Sequence, residues 1–66
     1  MSDSFYEIEL EILQMTDDAV FLTDGDIEEW IPWSQIKQPN MYERGMIGFT
    51  EFFEIREWIL GEKGFI

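Results

Sequence analysis

The fold is decided by residues 24–36, which are Asp24-Gly25-Asp26-Ile27-Glu28-Glu29-Trp30-Ile31-Pro32-Trp33-Ser34-Gln35-Ile36. This stretch contains a tight-turn signal, a strand-forming run and a proline stop. Asp-Gly favours a two-residue hairpin loop, because both central positions of a type I′ turn need a positive φ. Proline has no N–H to donate to a strand ladder, so it ends the strand or places it at an edge. The stretch therefore predicts the second half of a β-hairpin.

The first half of this hairpin is predicted in the run Ala19-Val20-Phe21-Leu22-Thr23, which is too short for a helix and rich in strand formers. With Asp24-Gly25 as a type I′ loop, the expected pairs are Thr23 with Asp26, Leu22 with Ile27 and Ala19 with Trp30. A small alanine opposite a large tryptophan is a favourable cross-strand packing pair. Trp30 is therefore predicted to lie in the core.

Residues 5–15 alternate between apolar and acidic side chains, which predicts a half-buried strand with one face in water. The apolar face is predicted to hold Tyr6, Ile8, Leu10 and Ile12, and the wet face Glu7, Glu9 and Glu11. A helix would scatter these glutamates around its circumference. Thr16-Asp17-Asp18 then forms a polar break suited to a turn or a bulge.

The C-terminal part admits two interpretations. In one, Thr50 caps a single helix that runs to residue 63. In the other, which we favour, residues 49–55 form a fourth strand and residues 56–63 a short helix. Lys63 near the helix end, Gly64 just past it and apolar Phe65 are typical of a helix stop in both cases.

Between the hairpin and this C-terminal part, residues 33–42 are predicted to be irregular. Ser34 is a candidate cap for a single helical turn, and Gln38-Pro39-Asn40 is a loop signal. The predicted fold class is thus α+β. We expect one domain, residues 1–66, with a small antiparallel sheet of three to four strands followed by one C-terminal α-helix.

Charge is the strongest compositional signal, because 4 basic against 15 acidic residues give a net charge of −11. Ten of the acids lie in residues 1–36, which contain no lysine or arginine. Nucleic acids and anionic membranes are disfavoured as partners, since both are bound through cations. A basic protein surface is favoured. No signal peptide or membrane-spanning run is present in the sequence, which predicts a cytoplasmic protein.

Two segments resemble a group of small phage and bacterial proteins. One joins Ala19-Val20-Phe21-Leu22, the Asp24-Gly25 turn and residues 30–36, and the other is the ending Glu57-Trp58-Ile59-Leu60-Gly61-Glu62-Lys63-Gly64-Phe65. The resemblance implies an antiparallel sheet followed by one helix. It also implies an architecture like that of a single-strand-binding coactivator, which at least one anti-CRISPR protein is expected to share. The group has lysine where this chain has Trp33.

Catalytic and metal-binding roles have little support in the sequence. The chain has no cysteine and no histidine, which excludes thiolate chemistry and the commonest general base and zinc ligand. The carboxylates at Asp17-Asp18 and Asp24-Gly25-Asp26 do not match the calcium-loop spacing. We therefore predict no catalytic residues, no metal and no cofactor.

The candidate partner-binding residues are acidic, with one tryptophan. Glu7, Glu9 and Glu11 form a row that becomes extensive if other acids share its surface, and the further candidates are Asp17, Asp18, Glu28, Glu29 and Trp33. The alternative is a solvated strand face that prevents aggregation. Trp33 is either an exposed anchor for a partner or a lid over the core, and Trp58 is predicted to be buried.

These observations predict a non-enzymatic binding protein that covers a basic surface of a nucleic-acid-handling protein. A phage or mobile-element protein that inhibits a host-defence nuclease complex would fit this description. One rival hypothesis is a homodimer whose acidity keeps it soluble. A second rival is a single-strand binder, which would have to bind nucleic acid despite its charge.

Overall fold

A computed structural model describes residues 4–37 and 46–66. Within these ranges four strands form one antiparallel sheet in the order β3-β2-β1-β4. The elements are β1 (Phe5–Met15), β2 (Ala19–Thr23), β3 (Glu28–Pro32), a 3-10 turn (Trp33–Gln35), β4 (Thr50–Arg56) and α1 (Glu57–Lys63). The predicted α+β class is confirmed. Of the two interpretations of the C-terminal part, strand followed by helix is the correct one.

The core lies between one face of the sheet, which we call the inner face, and α1. The buried side chains of the inner face are Leu10, Ile12, Met15, Val20, Leu22, Ile31, Phe53 and Ile55. From α1 and the residues after it, Ile59, Leu60 and Phe65 join the same cluster. The alternation predicted for β1 is confirmed from Ile8 to Ile12, whereas Tyr6, near the end of the strand, is 42% exposed.

A bulge interrupts the ladder between β1 and β2 at Leu13. Ile12 pairs with Leu22, but the next pair is Gln14 with Phe21. One extra residue in β1 therefore shifts the alternation. The shift turns Met15, which is 4% exposed, towards the core opposite Val20. Without the bulge, the polar Gln14 would point into the core instead.

The predicted break at Thr16-Asp17-Asp18 is a tight turn that the side-chain hydroxyl of Thr16 stabilises. The Thr16 Oγ1 atom accepts hydrogen bonds from the backbone N–H groups of Asp18 (3.3 Å) and Ala19 (3.1 Å). Trp33 stabilises the same turn through two hydrogen bonds. Its backbone N–H donates to the Asp18 carbonyl (3.0 Å), and its indole Nε1–H donates to the Thr16 carbonyl (2.8 Å). The 3-10 turn begins at Trp33 and has no side-chain cap, so the predicted capping role of Ser34 is wrong.

The hairpin between β2 and β3 forms with a different loop from the predicted one. Its pairs are Thr23 with Glu28, Leu22 with Glu29, Phe21 with Trp30, Val20 with Ile31 and Ala19 with Pro32. The Asp24 N–H donates to the Ile27 carbonyl (3.3 Å), so the two loop residues are Gly25 and Asp26. The predicted Asp24-Gly25 loop is therefore wrong by one residue and the predicted register by two, because Asp24 acts as a side-chain acceptor beside the loop.

Two of the tryptophan predictions are also wrong. Trp30 is 40% exposed and lies on the side of β2 that carries Phe21, away from buried Val20 and Leu22. The run from Ala19 to Thr23 is apolar on both sides, so its pattern does not identify the core side. Trp58 is 44% exposed, since α1 is only two turns long and buries Ile59 and Leu60 instead.

The helix ends as predicted. Gly64 has φ 92°, and its N–H and that of Phe65 both donate to the Leu60 carbonyl (3.0 and 2.9 Å). Phe65 is buried at 8% exposure. No helix in the described part of the chain combines the length and the apolar character needed to cross a membrane. The loop predicted at Gln38-Pro39-Asn40 lies outside the described residues.

Alanine at two glycines is expected to shift stability in opposite directions. Gly25 has φ 105° and open space around its missing Cβ, so Gly25→Ala adds backbone strain alone and costs about 1 kcal/mol or more. Gly61 lies in α1, also with open space, and its φ is not positive. Gly61→Ala is expected to stabilise the domain by about 0.5–1 kcal/mol. Urea unfolding of both variants measures the two shifts, and a stable Gly25→Ala protein would contradict the turn described here.

Candidate functional site

The face of the sheet opposite α1 carries most of the predicted candidates, and we call it the outer face. By strand register it comprises Phe5, Glu7, Glu9, Glu11 and Gln14 of β1, Ala19, Phe21 and Thr23 of β2, Glu28, Trp30 and Pro32 of β3, and Thr50, Phe52, Glu54 and Arg56 of β4. The prediction that Glu7, Glu9 and Glu11 share one face is confirmed. They lie on β1, a central strand of the sheet.

Strand pairing adds two further carboxylates to this row. Glu54 of β4 lies directly opposite Glu7. Glu28 lies two strands from Glu11, with Thr23 between them. Along β1 the glutamates repeat every ~6.7 Å, and adjacent strands are ~4.8 Å apart. Like charges directly opposite each other destabilise a sheet, and the Lys37 ammonium, 3.6 Å from the Glu54 carboxylate, offsets part of the Glu7–Glu54 repulsion.

Aromatic rings lie beside these carboxylates on the same face. The rings of Phe21 and Trp30 stack across β2 and β3, with centroids 5.0 Å apart and planes 29° from parallel. Phe52 is the cross-strand neighbour of Glu9 and is 62% exposed. The outer face therefore combines carboxylates with the aromatic rings of Phe21, Trp30 and Phe52, which we call the aromatic platforms. It differs in this from an evenly charged, solvated surface.

One end of the outer face is basic. The Nζ atom of Lys37 lies 5.6 Å from the centroid of the Phe5 ring, and the guanidinium carbon of Arg56 lies 5.0 Å from it. Lys37 also forms an ion pair with Glu54 at 3.6 Å, and its backbone N–H donates to the Glu54 carbonyl. Among the described residues, no salt bridge involves Glu7, Glu9 or Glu11. Charge on this face thus runs from basic at Phe5 to acidic at its centre.

A shallow depression lies on the acidic part of the outer face. It has a volume of about 210 Å³ and is lined by Glu9, Glu11, Thr23, Asp24, Gly25 and Thr50. Thr23 and Thr50 lie opposite Glu11 on the two neighbouring strands. Because their side chains are short, the surface around Glu11 is low. The Asp24 turn forms the rim. The shape suits side chains of a partner that rest on the sheet better than a deeply enclosed small molecule.

The structure does not place all predicted candidates on this face. Glu29 belongs to the opposite side of β3, where its carboxylate lies 3.8 Å from Lys63 of α1. Asp17 and Asp18 are exposed in the turn at one end of the sheet. Trp33 is partly buried and packs against the core, which is the lid arrangement. Glu28 does extend the outer face.

Three residues of the outer face were missing from the predicted candidates: Phe52, Glu54 and Trp30. Phe52 and Glu54 alternate with buried Phe53 and Ile55 along β4. That alternation is visible in the sequence, but the pairing of β4 with β1 that sets Glu54 beside Glu7 is not. Trp30 was missed because it was assigned to the core.

Asp24 has a structural role in the hairpin. Its Oδ1 atom accepts hydrogen bonds from the backbone N–H groups of Ile27 and Asp26, both at 2.9 Å. These bonds favour the charged form, and the bond from Ile27 contributes most, so the pKa of the Asp24 carboxyl lies below its usual value. Within the described residues, no group of three or more acidic, histidine or cysteine side chains is arranged to hold a metal ion.

The lowered pKa of Asp24 predicts a pH-dependent contribution to stability. A carboxyl whose pKa is lower in the folded state stabilises the fold above its unfolded-state pKa, and this contribution disappears as the pH falls through the folded-state pKa. Asp24→Asn keeps an acceptor oxygen but does not titrate. We expect the melting temperature of the wild type to exceed that of Asp24→Asn at neutral pH and to converge with it in acid.

Asp26→Asn is the matched control for this comparison, because it removes one charge two residues away. Asp24→Ala should be the least stable of the three variants at neutral pH, since it removes both hydrogen bonds. Thermal melts followed by circular dichroism across pH measure the effect. A constant difference between wild type and Asp24→Asn at every pH would contradict it.

No protein-family model, curated protein or solved structure matches the chain.

Proposed function

We propose that the protein is a non-enzymatic binding protein whose outer face covers a basic surface of a nucleic-acid-handling protein. The observation that supports this proposal most strongly is the position of Glu7, Glu9 and Glu11 on the outer face of a central strand, opposite the face that packs against α1. The mechanism is competitive, because the carboxylates pair with cations of the partner that would otherwise neutralise the phosphates of a nucleic acid.

Electrostatics supports a protein partner over nucleic acid. Among the described residues, the outer face carries five carboxylates and two cations, and the cations lie together at the Phe5 end. A phosphate backbone on this face would meet repulsion along most of its length. A basic protein surface instead gains attraction, fast association and a strong dependence on salt.

The same charges argue against self-association through the outer face. Counting the described residues, two copies packed face to face would bring five carboxylates against five, with two cations on each side. The aromatic platforms give a reason for affinity beyond charge, because tryptophan and other aromatics are enriched at the energetic centres of interfaces. Trp30 and Phe52 are thus the apolar contacts of the proposed interface.

Competition with nucleic acid tests this proposal. The protein is used to capture its partner from an extract of the natural host, the partner is identified, and the purified partner is loaded with labelled oligonucleotide. Added protein is expected to displace the oligonucleotide, with less displacement as salt is raised. A ternary complex that retains the oligonucleotide would contradict occlusion. Direct binding of the oligonucleotide to the protein at low salt would support the single-strand-binder hypothesis instead.

A further inference from the structure

Among residues 4–37 and 46–66, no helix covers the outer face in the way that α1 covers the inner face. The inner face is packed by α1, with Ile59 and Leu60 buried against the sheet. On the outer face, Trp30 is 40% exposed, Phe52 is 62% exposed and Phe5 is 39% exposed. Sheets normally bury their apolar faces against another element. We infer that the outer face docks a basic amphipathic α-helix of the partner, an inference that rests on the proposed function.

Backbone hydrogen bonding favours a helix over an extended peptide. A segment that lies on the face of a sheet meets side chains, since the N–H and C=O groups of the sheet are used within its ladders. An extended segment there would leave its own backbone groups unpaired, whereas a helix satisfies them internally. Extended peptides add to sheet edges instead. Of the two edge strands, β3 ends at Pro32, which has no N–H to offer, and β4 is bridged along its outer edge by Ile36 and Lys37.

The spacing of the carboxylates also matches a helix. From Glu7 to Glu11 the distance along β1 is ~13 Å, with Glu9 midway. Helical residues at i, i+4 and i+8 are separated by ~6 Å steps along the axis and span ~12 Å. Their row is inclined about 26° to the helix axis, so a helix crossing β1 obliquely can align three cations with the three glutamates. Lysine and arginine side chains are long enough to absorb the remaining mismatch.

The positions of the aromatic platforms determine where the docked helix needs apolar side chains. Phe52 lies on the β4 side of Glu9, and the Phe21–Trp30 stack lies beyond Glu11 on the β2 and β3 side. A helix with cations in a central row and apolar side chains in the rows on either side covers both kinds of group. Arginine suits these positions best, since a guanidinium both pairs with carboxylates and stacks on rings. The chain already holds such a contact, Arg56 on Phe5 at 5.0 Å.

Synthetic peptides of roughly 20 residues, long enough to form a helix in water, test the inference. The aligned peptide has arginine at i, i+4 and i+8 with leucine in the rows on either side. The scrambled peptide has the same composition with arginines spread around the helix, and a third peptide carries a central proline. We expect the aligned peptide to bind the wild type, the scrambled peptide to bind about tenfold more weakly and the proline peptide more weakly still.

Two protein variants locate the binding. Glu7→Gln/Glu9→Gln/Glu11→Gln should lose the preference for the aligned peptide, whereas the matched triple Glu29→Gln/Glu57→Gln/Glu62→Gln, with the same net charge, should keep it. Circular dichroism should show peptide helicity rising on binding. Equal affinity for the three peptides, or no binding of the aligned one, would overturn the helix inference. Displacement of oligonucleotide from the captured partner would still test the proposed function separately.

Discussion

Replacing Phe53 with alanine is expected to leave the domain largely unfolded. Phe53 is completely buried on β4, opposite Ile8 of β1, in the centre of the core. Phenylalanine-to-alanine changes in a core cost about 3–5 kcal/mol. A single core in a chain this short rarely supplies more than about 3–5 kcal/mol of net stability. The expected cost is therefore as large as the stability itself, and urea unfolding with circular dichroism measures it.

The neighbouring residue provides the control. Phe52→Ala removes the same side chain from the adjacent position, but Phe52 is 62% exposed on the outer face. Its cost should lie within about 0.5 kcal/mol, as for most exposed positions, while its effect on partner binding should be clear. Similar unfolding curves for the two alanine variants would contradict the assignment of inner and outer faces.

Reversing the charge of Glu7, Glu9 and Glu11 together is expected to weaken partner binding by about 100-fold or more. Each lysine replaces an attractive contact with a repulsive one at the centre of the proposed interface. Each reversal changes the net charge by two, so the triple variant has a net charge of −5 in place of −11. Reversing Glu29, Glu57 and Glu62 gives the same net charge on the other side of the sheet. Binding constants for both triples separate position from total charge.

Stability should change in the opposite direction from binding in the outer-face triple. Lysine at position 7 would face Glu54 across the ladder and replace a repulsive pair with an attractive one. We expect its melting temperature to rise by several degrees, a shift of about 1 kcal/mol in a domain of this size. A variant that is more stable and does not bind cannot owe its loss of binding to unfolding. A lower melting temperature would show that the glutamates serve the fold.

Much of the fold could be predicted because its elements have strong local patterns. Strand β1 alternates over most of its length, and the helix stop at Gly64 combines a positive φ with a buried Phe65. Such signals depend on residues close together in the chain, so they are visible in one sequence. The row of Glu7, Glu9 and Glu11 followed from β1 for the same reason.

The parts that could not be predicted depend on contacts between residues far apart in the chain, or on local hydrogen bonds that the residue pattern does not reveal. Asp24 accepts two backbone hydrogen bonds, which moves the hairpin loop to Gly25 and Asp26. The core side of β2 carries Val20 and Leu22, which pair with Ile31 and Ile12 of the neighbouring strands, so an apolar run alone did not place Trp30. Glu54 joined the candidate surface only through the pairing of β4 with β1.

Strand geometry also divides the candidate acidic residues between the two faces of the sheet. Adjacent residues of a strand point to opposite faces, so Glu28 and Glu29 cannot share one. The structure assigns Glu28 to the outer face and Glu29 to the side that carries Lys63. A sequence rich in acids suggests one continuous acidic surface, whereas the sheet divides those acids between two faces.

The three tryptophans of the chain provide the most direct test of the docking surface, because they lie in three different places. Trp30 is on the outer face, Trp58 is exposed on α1, and Trp33 is packed beside the β1–β2 turn. Protein labelled with 5-fluorotryptophan gives one fluorine resonance for each, which single Trp→Phe variants assign. On addition of the unlabelled partner, the Trp30 resonance is expected to shift while that of Trp58 stays in place. A shift at Trp58 with none at Trp30 would contradict the claim that the outer face is the binding surface.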